Sequence, residues 1–325
     1  MSVNYFFRIH KICDVLLVHQ HYIPYNQKKT MKDNNFKGRP HRNLWYFVCK
    51  YVLSLLPDTL FHNAVGYIMH KRHHATYHWM DIKHPKTFSE KLNYLKTHPV
   101  VANETDLADK YEVRDFVKQT IGEQYLVPIL GVWSNADEVD FSRLPEQFVL
   151  KLTKGSGYNL ICSQKSELNI CETKKMLRDW LKINCYYFSR EPHYKGKSKL
   201  IAEQMLEYNI TDYKFFCFNG IPKYVELYAD RFGNHKKVFY DMNWHRAGFT
   251  TANDVTDAEI EKPAAFAEMK EVATKLCEGM KFVRVDLYVH NAKVYFGEMT
   301  FHPAGGYTPI TPREWEYKLG DMIDL

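Results

Sequence analysis

The sequence predicts an α+β protein whose strands are mostly antiparallel. Two observations lead to this class: helical patterns dominate the first part of the chain, and short polar turns such as Asn219-Gly220 join later apolar segments into hairpins. The 325 residues, 45% of them hydrophobic and 25% charged, are typical of a soluble globular protein. This length allows two domains, or one domain with insertions.

Charge is distributed unevenly along the chain. Residues 1–100 contain 15 Lys and Arg against five Asp and Glu, whereas the whole chain has a net charge of +6. A basic first third indicates either contact with an anionic membrane surface or acidic polymer, or simply a solvated basic face. No recognised nucleic-acid motif is present, so a nucleic-acid partner is not expected.

Cysteine usage and hydropathy predict a cytoplasmic protein, with a possible peripheral contact at the membrane. Seven scattered cysteines include no CxxC pair, which favours a reduced compartment. No segment approaches the roughly 20 apolar residues of a membrane span. Residues 1–43 are predicted to be a basic, weakly ordered segment.

Helical patterns occur at 44–56 and about 59–72, where they could pack in a core or dock on a membrane face. A capping box, with Thr87 as N-cap and Glu90 three residues later, predicts the start of another helix. A further helix is predicted over 104–122, ending at Gly122. Three more are predicted, at 173–184, 264–279 and 311–325.

Strand patterns occupy much of the remaining chain. They are predicted at 125–133, 147–162, 198–207, 213–229, 237–244 and 283–306. The segment 147–162 is interrupted by a Gly-Ser-Gly turn.

The hairpin at 283–306 places charged residues inside its strands. If residues 291–293 form its loop, four polar side chains share one face in two facing pairs, Asp286 with Glu298 and Arg284 with Thr300. Two facing carboxylates repel each other unless a cation lies between them, and Mg²⁺ prefers oxygen ligands. The pattern therefore indicates either a magnesium site, with Arg284 beside it for a phosphate or a developing negative charge, or a surface ion network.

Two upstream segments have features that suit a nucleotide. Lys151 lies in a strand directly before Gly155, Ser156 and Gly157, where backbone N–H groups could approach phosphate oxygens. Glu203 ends another strand, at an exit that could offer backbone groups to an adenine edge. Each also has a plain structural interpretation, as a hairpin turn and as the polar end of a buried strand.

Four motifs in this order resemble the ATP-grasp ligases, for example the D-alanine–D-alanine ligases. They are "ADKYEVRDFVKQTIGEQYLVP", "FVLKLTKGSG", "LIAEQMLEYNITDYKFF" and "VRVDLYVHNAKVYFGEMTFHPAGGYT". Together with "HPKTFSEKLNYLK", the layout is most similar to the TupA-like ATP-grasp branch, found in loci for teichuronopeptide and other cell-surface polysaccharides. The resemblance covers residues from about 44 to the end.

This resemblance implies a fold of two α+β lobes that clamp ATP, preceded by a helical extension. It implies a helical region at 44–125, a first lobe at 126–207 and a second lobe at 208–325. The implied nucleotide contacts are Arg114 and Lys151 on the α/β-phosphates, Gly155, Ser156 and Gly157 over the β/γ-phosphates, Glu203 and Leu206 at the adenine, and Asp212 at the ribose.

The resemblance also implies a metal and catalytic set. The implied metal ligands are Asp286, Glu298 and Thr300, and Arg284 with backbone N–H groups near Gly305 and Gly306 would stabilise a tetrahedral intermediate. Thr300 departs from the family, where Asn usually provides the third metal contact, although a threonine hydroxyl still reaches a metal or its water. Further candidate cations, not ranked, are Lys214, Arg231, His235, Lys236 and Lys237.

The implied function is an ATP-dependent carboxylate–amine ligase with an acyl-phosphate intermediate, acting in cell-surface polysaccharide biosynthesis. Its cofactors would be ATP and Mg²⁺, and its substrates an amine and a small-molecule or lipid-linked saccharide carboxylate. The alternatives are a glycosyltransferase or sugar kinase of the same pathway, disfavoured because no DxD motif is present, and a non-catalytic ATP-binding scaffold, suggested by Thr300. His74 and His78, four residues apart, are interpreted as surface histidines rather than metal ligands.

Overall fold

The structure is a computed structural model that describes residues 40–229, 236–251 and 259–325. Most of the predicted basic segment 1–43 therefore lies outside the described residues, as do Arg231 and His235. Within the described ranges, no helix is both long and apolar enough to cross a membrane.

Nine α-helices occur in the described ranges, and the first five precede the first strand. The nine are α1 (Pro40–Tyr51), α2 (Asp58–Arg72), α3 (Phe88–Leu95), α4 (Glu104–Leu107), α5 (Val113–Thr120), α6 (Ile170–Leu181), α7 (Tyr186–Ser189), α8 (Phe266–Leu276) and α9 (Glu314–Asp321). The predicted capping box is confirmed, since the Thr87 side chain accepts from the Glu90 N–H and the Glu90 carboxylate accepts from the Thr87 N–H.

The predicted helix over 104–122 is instead divided into α4 and α5. The carboxylate of Asp109 accepts hydrogen bonds from the N–H groups of Tyr111 and Glu112, at 2.8 and 3.2 Å. This side chain competes with the backbone carbonyls that a continuous helix would use, which explains the break. The sequence periodicity did not show it, because the apolar spacing continues across the interruption.

The first sheet has four strands in the order β1-β4-β2-β3, all pairings antiparallel. Its strands are β1 (Ile129–Trp133), β2 (Phe148–Leu152), β3 (Asn159–Cys162) and β4 (Leu200–Gln204). Alternate residues of β2, namely Phe148, Leu150 and Leu152, are fully buried and pack with Leu177 and Trp180 of α6. The opposite face of the sheet is left for polar side chains.

The second sheet has five strands in the order β10-β9-β5-β6-β7, again antiparallel. Its strands are β5 (Asp212–Phe218), β6 (Ile221–Ala229), β7 (Lys236–Asp241), β9 (Phe282–His290) and β10 (Lys293–Thr300), and a separate pair is formed by β8 (Thr250–Thr251) and β11 (Ile310–Thr311). The predicted turn at Asn219-Gly220 joins β5 to β6, since Phe218 pairs with Ile221. The α+β class with antiparallel sheets is confirmed.

One face of the second sheet is apolar and packs against α5 and α8. Val283, Val285 and Leu287 of β9 are completely buried in this core. Because side chains alternate along a strand, Arg284 and Asp286 project from the opposite face.

The β9–β10 hairpin has the predicted pairing of its polar residues, but its turn is shorter than predicted and a bulge shifts the register. Its turn contains two residues, Asn291 and Ala292, both with positive φ, so the predicted three-residue loop is wrong. The register then shifts between Phe296 and Glu298, around Gly297. A Cβ at Gly297 would lie 3.0 Å from the carbonyl oxygen of Asp286, so glycine suits the bulge. After the shift, Asp286 faces Glu298 and Arg284 faces Thr300, as predicted.

Candidate functional site

Arg284 forms hydrogen bonds with the other polar side chains on its face of the hairpin. Its Nε and Nη2 donate to the two carboxylate oxygens of Asp286 at 2.7 and 2.8 Å. Nη2 also lies 3.1 Å from both the Glu298 Oε1 and the Thr300 Oγ1. These contacts form an ion network, and because Asp286 is 1% exposed the network is largely buried rather than at the surface.

Two lysines from other elements complete this cluster. Lys214 of β5 donates to Asp286 and lies 3.4 Å from the carboxylate of Asp212. Lys110, between α4 and α5, lies 3.3 Å from the Glu298 Oε2. Burial alone would raise the pKa of Glu298, but Lys110, Arg284 and Lys214 outweigh burial and hold that pKa below its usual range. Glu298 is therefore an anion at neutral pH.

Sequence reasoning overlooked Lys110 and did not rank Lys214. Lys110 lies within the quoted "ADKYEVRDF" motif, so a signal existed. Lys214 enters the site because β5 pairs with β9 and sets it directly opposite Asp286, a contact that only the sheet order reveals. Lys237 belongs to a neighbouring buried cluster, where it donates to the Thr251 carbonyl and lies 3.0 Å from Glu226.

A second charge cluster lies on the first sheet. The Glu203 carboxylate is bound by Lys151 Nζ at 2.6 Å and by Arg114 Nη1 at 3.3 Å. Arg114 Nη2 also donates to the Val127 carbonyl at 2.8 Å. The structure thus pairs Glu203, predicted at the adenine, with the two cations predicted at the α/β-phosphates.

The glycine loop between β2 and β3 is connected to the hairpin through Lys110. Lys110 Nζ donates to the Gly155 carbonyl at 3.1 Å while it also pairs with Glu298. Gly157 has a φ of +76°, which favours glycine, and Ser156 is exposed at the tip. One lysine therefore holds the loop of the first sheet beside the acidic face of the second.

The remaining predicted nucleotide residues lie after β4. Leu206 is half-buried two residues beyond the end of that strand. Asp212 is buried at the start of β5, on the same face as Lys214. Their expected contacts with adenine and ribose stay predictions.

The Ala304–Gly306 turn was predicted to supply backbone N–H groups to an oxyanion. Ala304, Gly305 and Gly306 all have positive φ. The Gly305 N–H donates to the His302 carbonyl at 2.8 Å, and its assistance to an oxyanion stays a prediction. The carbonyl of Gly305 accepts from buried Lys96 at 2.6 Å. For Gly306 the prediction remains.

The hairpin oxygens fit a hard divalent cation. Asp286, Glu298 and Thr300 offer two carboxylates and a hydroxyl on one face, which is the chemistry that Mg²⁺ prefers. Among the described residues, Asp286 Oδ1 is bound only by Arg284 and Glu298 Oε2 only by Lys110, so each of these two oxygens has a second lone pair for a metal ion. The surrounding cations would then be available to the phosphates that usually share such an ion.

Comparisons with known proteins bear on the fold and family. The family model described as TupA-like ATPgrasp matches residues 90–324. The sequence matches no curated protein.

Among solved structures, a D-alanine–D-alanine ligase from Bacillus anthracis is 16% identical, with a TM-score of 0.40, over 60% of this chain and 57% of that one. An N5-carboxyaminoimidazole synthetase from Staphylococcus aureus, complexed with ADP, is 14% identical with a TM-score of 0.34, over 60% and 44%. A D-alanine–D-alanine ligase from Helicobacter pylori is 12% identical with a TM-score of 0.40, over 73% and 69%. The chain thus spans less than two thirds of the first two proteins. Likenesses of this size do not assign an activity to it.

Proposed function

Because the chain belongs to the TupA-like ATP-grasp family, we propose that it is an ATP-dependent carboxylate–amine ligase. The observation that carries the proposal is the hairpin cluster, in which one buried guanidinium holds Asp286, Glu298 and Thr300 on a single face. Such a face supplies oxygen ligands for a metal and, through Lys110 and Lys214, positive charge for phosphates. Charge stabilisation of this kind is the main requirement of phosphoryl transfer.

The triphosphate is proposed to lie between the two charge clusters. Lys151 and Arg114 would contact the α/β-phosphates, in exchange for part of their present contact with Glu203. The Gly155–Gly157 loop would cover the β/γ-phosphates, and Lys110 joins that loop to the hairpin. When Mg²⁺ is bound at Asp286, Glu298 and Thr300, it neutralises phosphate charge.

The proposed reaction forms an amide through an acyl phosphate. A carboxylate oxygen of the substrate attacks the γ-phosphorus and ADP leaves; an amine then attacks the acyl carbon and phosphate leaves. Arg284 would stabilise the negative charge that develops on the acyl oxygen. Among the described residues, none is hydrogen-bonded to the Nη1 of Arg284, so its two N–H groups are available to a substrate.

The proposed substrate is a saccharide carboxylate, free or lipid-linked, in cell-surface polysaccharide biosynthesis. This rests on the family resemblance and on the basic first third of the sequence. Exposed apolar side chains at the end of α1 and just after it are consistent with a peripheral membrane contact: Phe47, Tyr51, Val52 and Leu55. Cosedimentation with anionic vesicles, but not with neutral ones, is the expected result.

The test is a turnover assay with purified protein, Mg·ATP, pooled amino acids and pooled uronic acids. Release of ADP and phosphate should require both a carboxylate and an amine. Asp286→Asn should abolish release, and Asp179→Asn is the matched control, because Asp179 is an exposed carboxylate on α6. ATP binding without turnover for any acceptor would favour the scaffold alternative, and transfer from a sugar nucleotide without ATP would overturn the ligase proposal.

A further inference from the structure

Three buried polar side chains that have no proposed role in nucleotide binding lie close together. They are Glu104 at the start of α4, His193 in the short turn Pro192–Tyr194 that precedes β4, and His302, which follows β10. Their exposed fractions are 7%, 5% and 2%. One possible ligand atom from each residue lies within 4.8 Å of one from each of the other two.

The atoms that face each other lack hydrogen-bond partners. Among the described residues, Glu104 Oε1, His193 Nδ1 and His302 Nδ1 are all buried and unsatisfied. An unsatisfied buried polar atom costs about 1–3 kcal/mol, so three in one place require an explanation. Simple hydrogen bonding does not supply one, because Glu104 Oε1 lies 3.8 Å from His193 Nδ1 and 3.6 Å from His302 Nδ1.

The same distances suit ligands of a shared metal ion. Two atoms each about 2.1 Å from a zinc ion, at angles of roughly 110–120°, are separated by about 3.4–3.6 Å. For the two pairs that include Glu104, the observed 3.6 and 3.8 Å require an adjustment of only a few tenths of an ångström. The ligand atoms of the two histidines lie within 4.8 Å of each other. The two imidazole rings are nearly parallel, 10° apart with centroids 6.2 Å apart, so a metal ion in the plane of both rings requires a rotation of at least one of them.

A supporting carboxylate lies behind one histidine. Glu191 Oε2 is 3.5 Å from His193 Nε2, on the side of the ring away from the cluster. The other oxygen of Glu191 accepts a hydrogen bond from Ser189 Oγ at 2.5 Å, which fixes this carboxylate. A carboxylate on the distal nitrogen is the usual partner of a metal-binding histidine, because it holds the proton there and leaves the facing nitrogen free.

We propose that Glu104, His193 and His302 bind one divalent transition-metal ion, with Zn²⁺ as the favoured occupant. Two imidazole nitrogens and one carboxylate oxygen suit zinc, whereas the all-oxygen hairpin set suits Mg²⁺, so the two sites select different ions. A water would complete the coordination.

The ion would fasten three segments that are distant in sequence. It would join α4, the turn before β4 and the end of β10. Because His302 lies two residues after Thr300, the ion would fix the exit of the hairpin. Because all three ligands are buried, the ion would hold these segments together inside the protein.

The experiment measures metal in the full-length chain without nucleotide. Protein purified without chelator is analysed for metals, stripped with a chelator, and titrated with Zn²⁺ in competition with a chromophoric chelator. The expected result is one zinc per chain and a higher Tm on zinc addition. Co²⁺ added to the stripped protein should give the visible absorption of a low-coordinate N/O site.

Variants then locate the ion. His193→Ala and Glu104→Gln should each weaken zinc binding at least about 10–100-fold, the range produced even by loss of a supporting residue. His84→Ala, which removes a histidine whose side chain is 80% exposed, should bind zinc normally. Asp286→Asn should also retain zinc, which separates this site from the nucleotide site.

Two outcomes would overturn the proposal: stripped wild-type protein that takes up no stoichiometric zinc and shows no Tm change, or ligand variants that bind zinc as wild type does. The wild-type measurements decide the matter even where a variant fails to fold. A cavity that holds only water would give the first of these outcomes.

Discussion

Replacement of Asp286 by Asn tests how much the charge cluster contributes to the stability of the fold. The carboxylate is 1% exposed and is bound twice by Arg284 and once by Lys214. Asn keeps one acceptor oxygen but removes the charge, which leaves two buried cations without their main counter-ion. Removal of one partner from a buried ion pair costs about 3–5 kcal/mol of stability. Because Asn retains one acceptor, we expect the free energy of unfolding to fall by about 3 kcal/mol.

Equilibrium urea denaturation, followed by tryptophan fluorescence and circular dichroism, measures this loss. A domain stability of about 5–15 kcal/mol leaves the variant folded. Asp179→Asn should change the free energy of unfolding by less than about 0.5 kcal/mol, because that carboxylate is exposed. A double-mutant cycle with Lys214→Met should give a coupling energy of about 1–3 kcal/mol. A loss below about 1 kcal/mol together with no coupling would refute the reasoning.

Two further predictions concern single side chains. Lys110→Met should weaken ATP binding about 10- to 150-fold by calorimetry, since one charged hydrogen bond contributes about 1.5–3 kcal/mol. Lys182→Met, at an exposed lysine, should leave the ATP affinity unchanged, and equal affinities for the two variants would contradict the role given to Lys110. Burial raises the pKa of Glu316 to about 7, above its ordinary 4.5, against the opposing hydrogen bonds from Ser89. The folded state therefore binds this proton more tightly than the unfolded state does. As the pH rises from 4.5 to 7, the free energy of unfolding of the wild type should fall by up to about 3 kcal/mol relative to that of Glu316→Gln, as measured by denaturation across that range. If the two proteins show the same change of stability with pH, the effect is excluded.

The hairpin shows how far sequence patterning can go. Strand alternation alone placed Arg284, Asp286, Glu298 and Thr300 on one face, and the structure agrees. The loop was predicted one residue too long, and the bulge at Gly297 compensates for that difference. Alternation fixes which side chains share a face because the opposite face is buried, but turn length and bulges depend on local backbone contacts that a pattern does not show.

Contacts between segments that are distant in the chain could not be predicted from sequence patterns. Lys151 and Glu203 were predicted for separate roles, and their ion pair appears only because β2 and β4 are neighbours in the first sheet. The cluster of Glu104, His193 and His302 spans nearly 200 residues and has no local spacing. The pair His74 and His78, which does have ligand-like spacing, lies beyond the end of α2 at Arg72, so the two do not share a helical face.

The central claim is that the acidic face of the β9–β10 hairpin binds Mg·ATP, and the metal dependence of nucleotide affinity tests it most directly. Glu298→Gln is the suitable variant, because its side chain is 32% exposed and its removal disturbs the core less than a change at Asp286. Calorimetry with ATP, in Mg²⁺ and in a chelator, should show that Mg²⁺ tightens binding to wild type and does so much less for Glu298→Gln. Identical Mg²⁺ dependence in the two proteins would contradict the assignment.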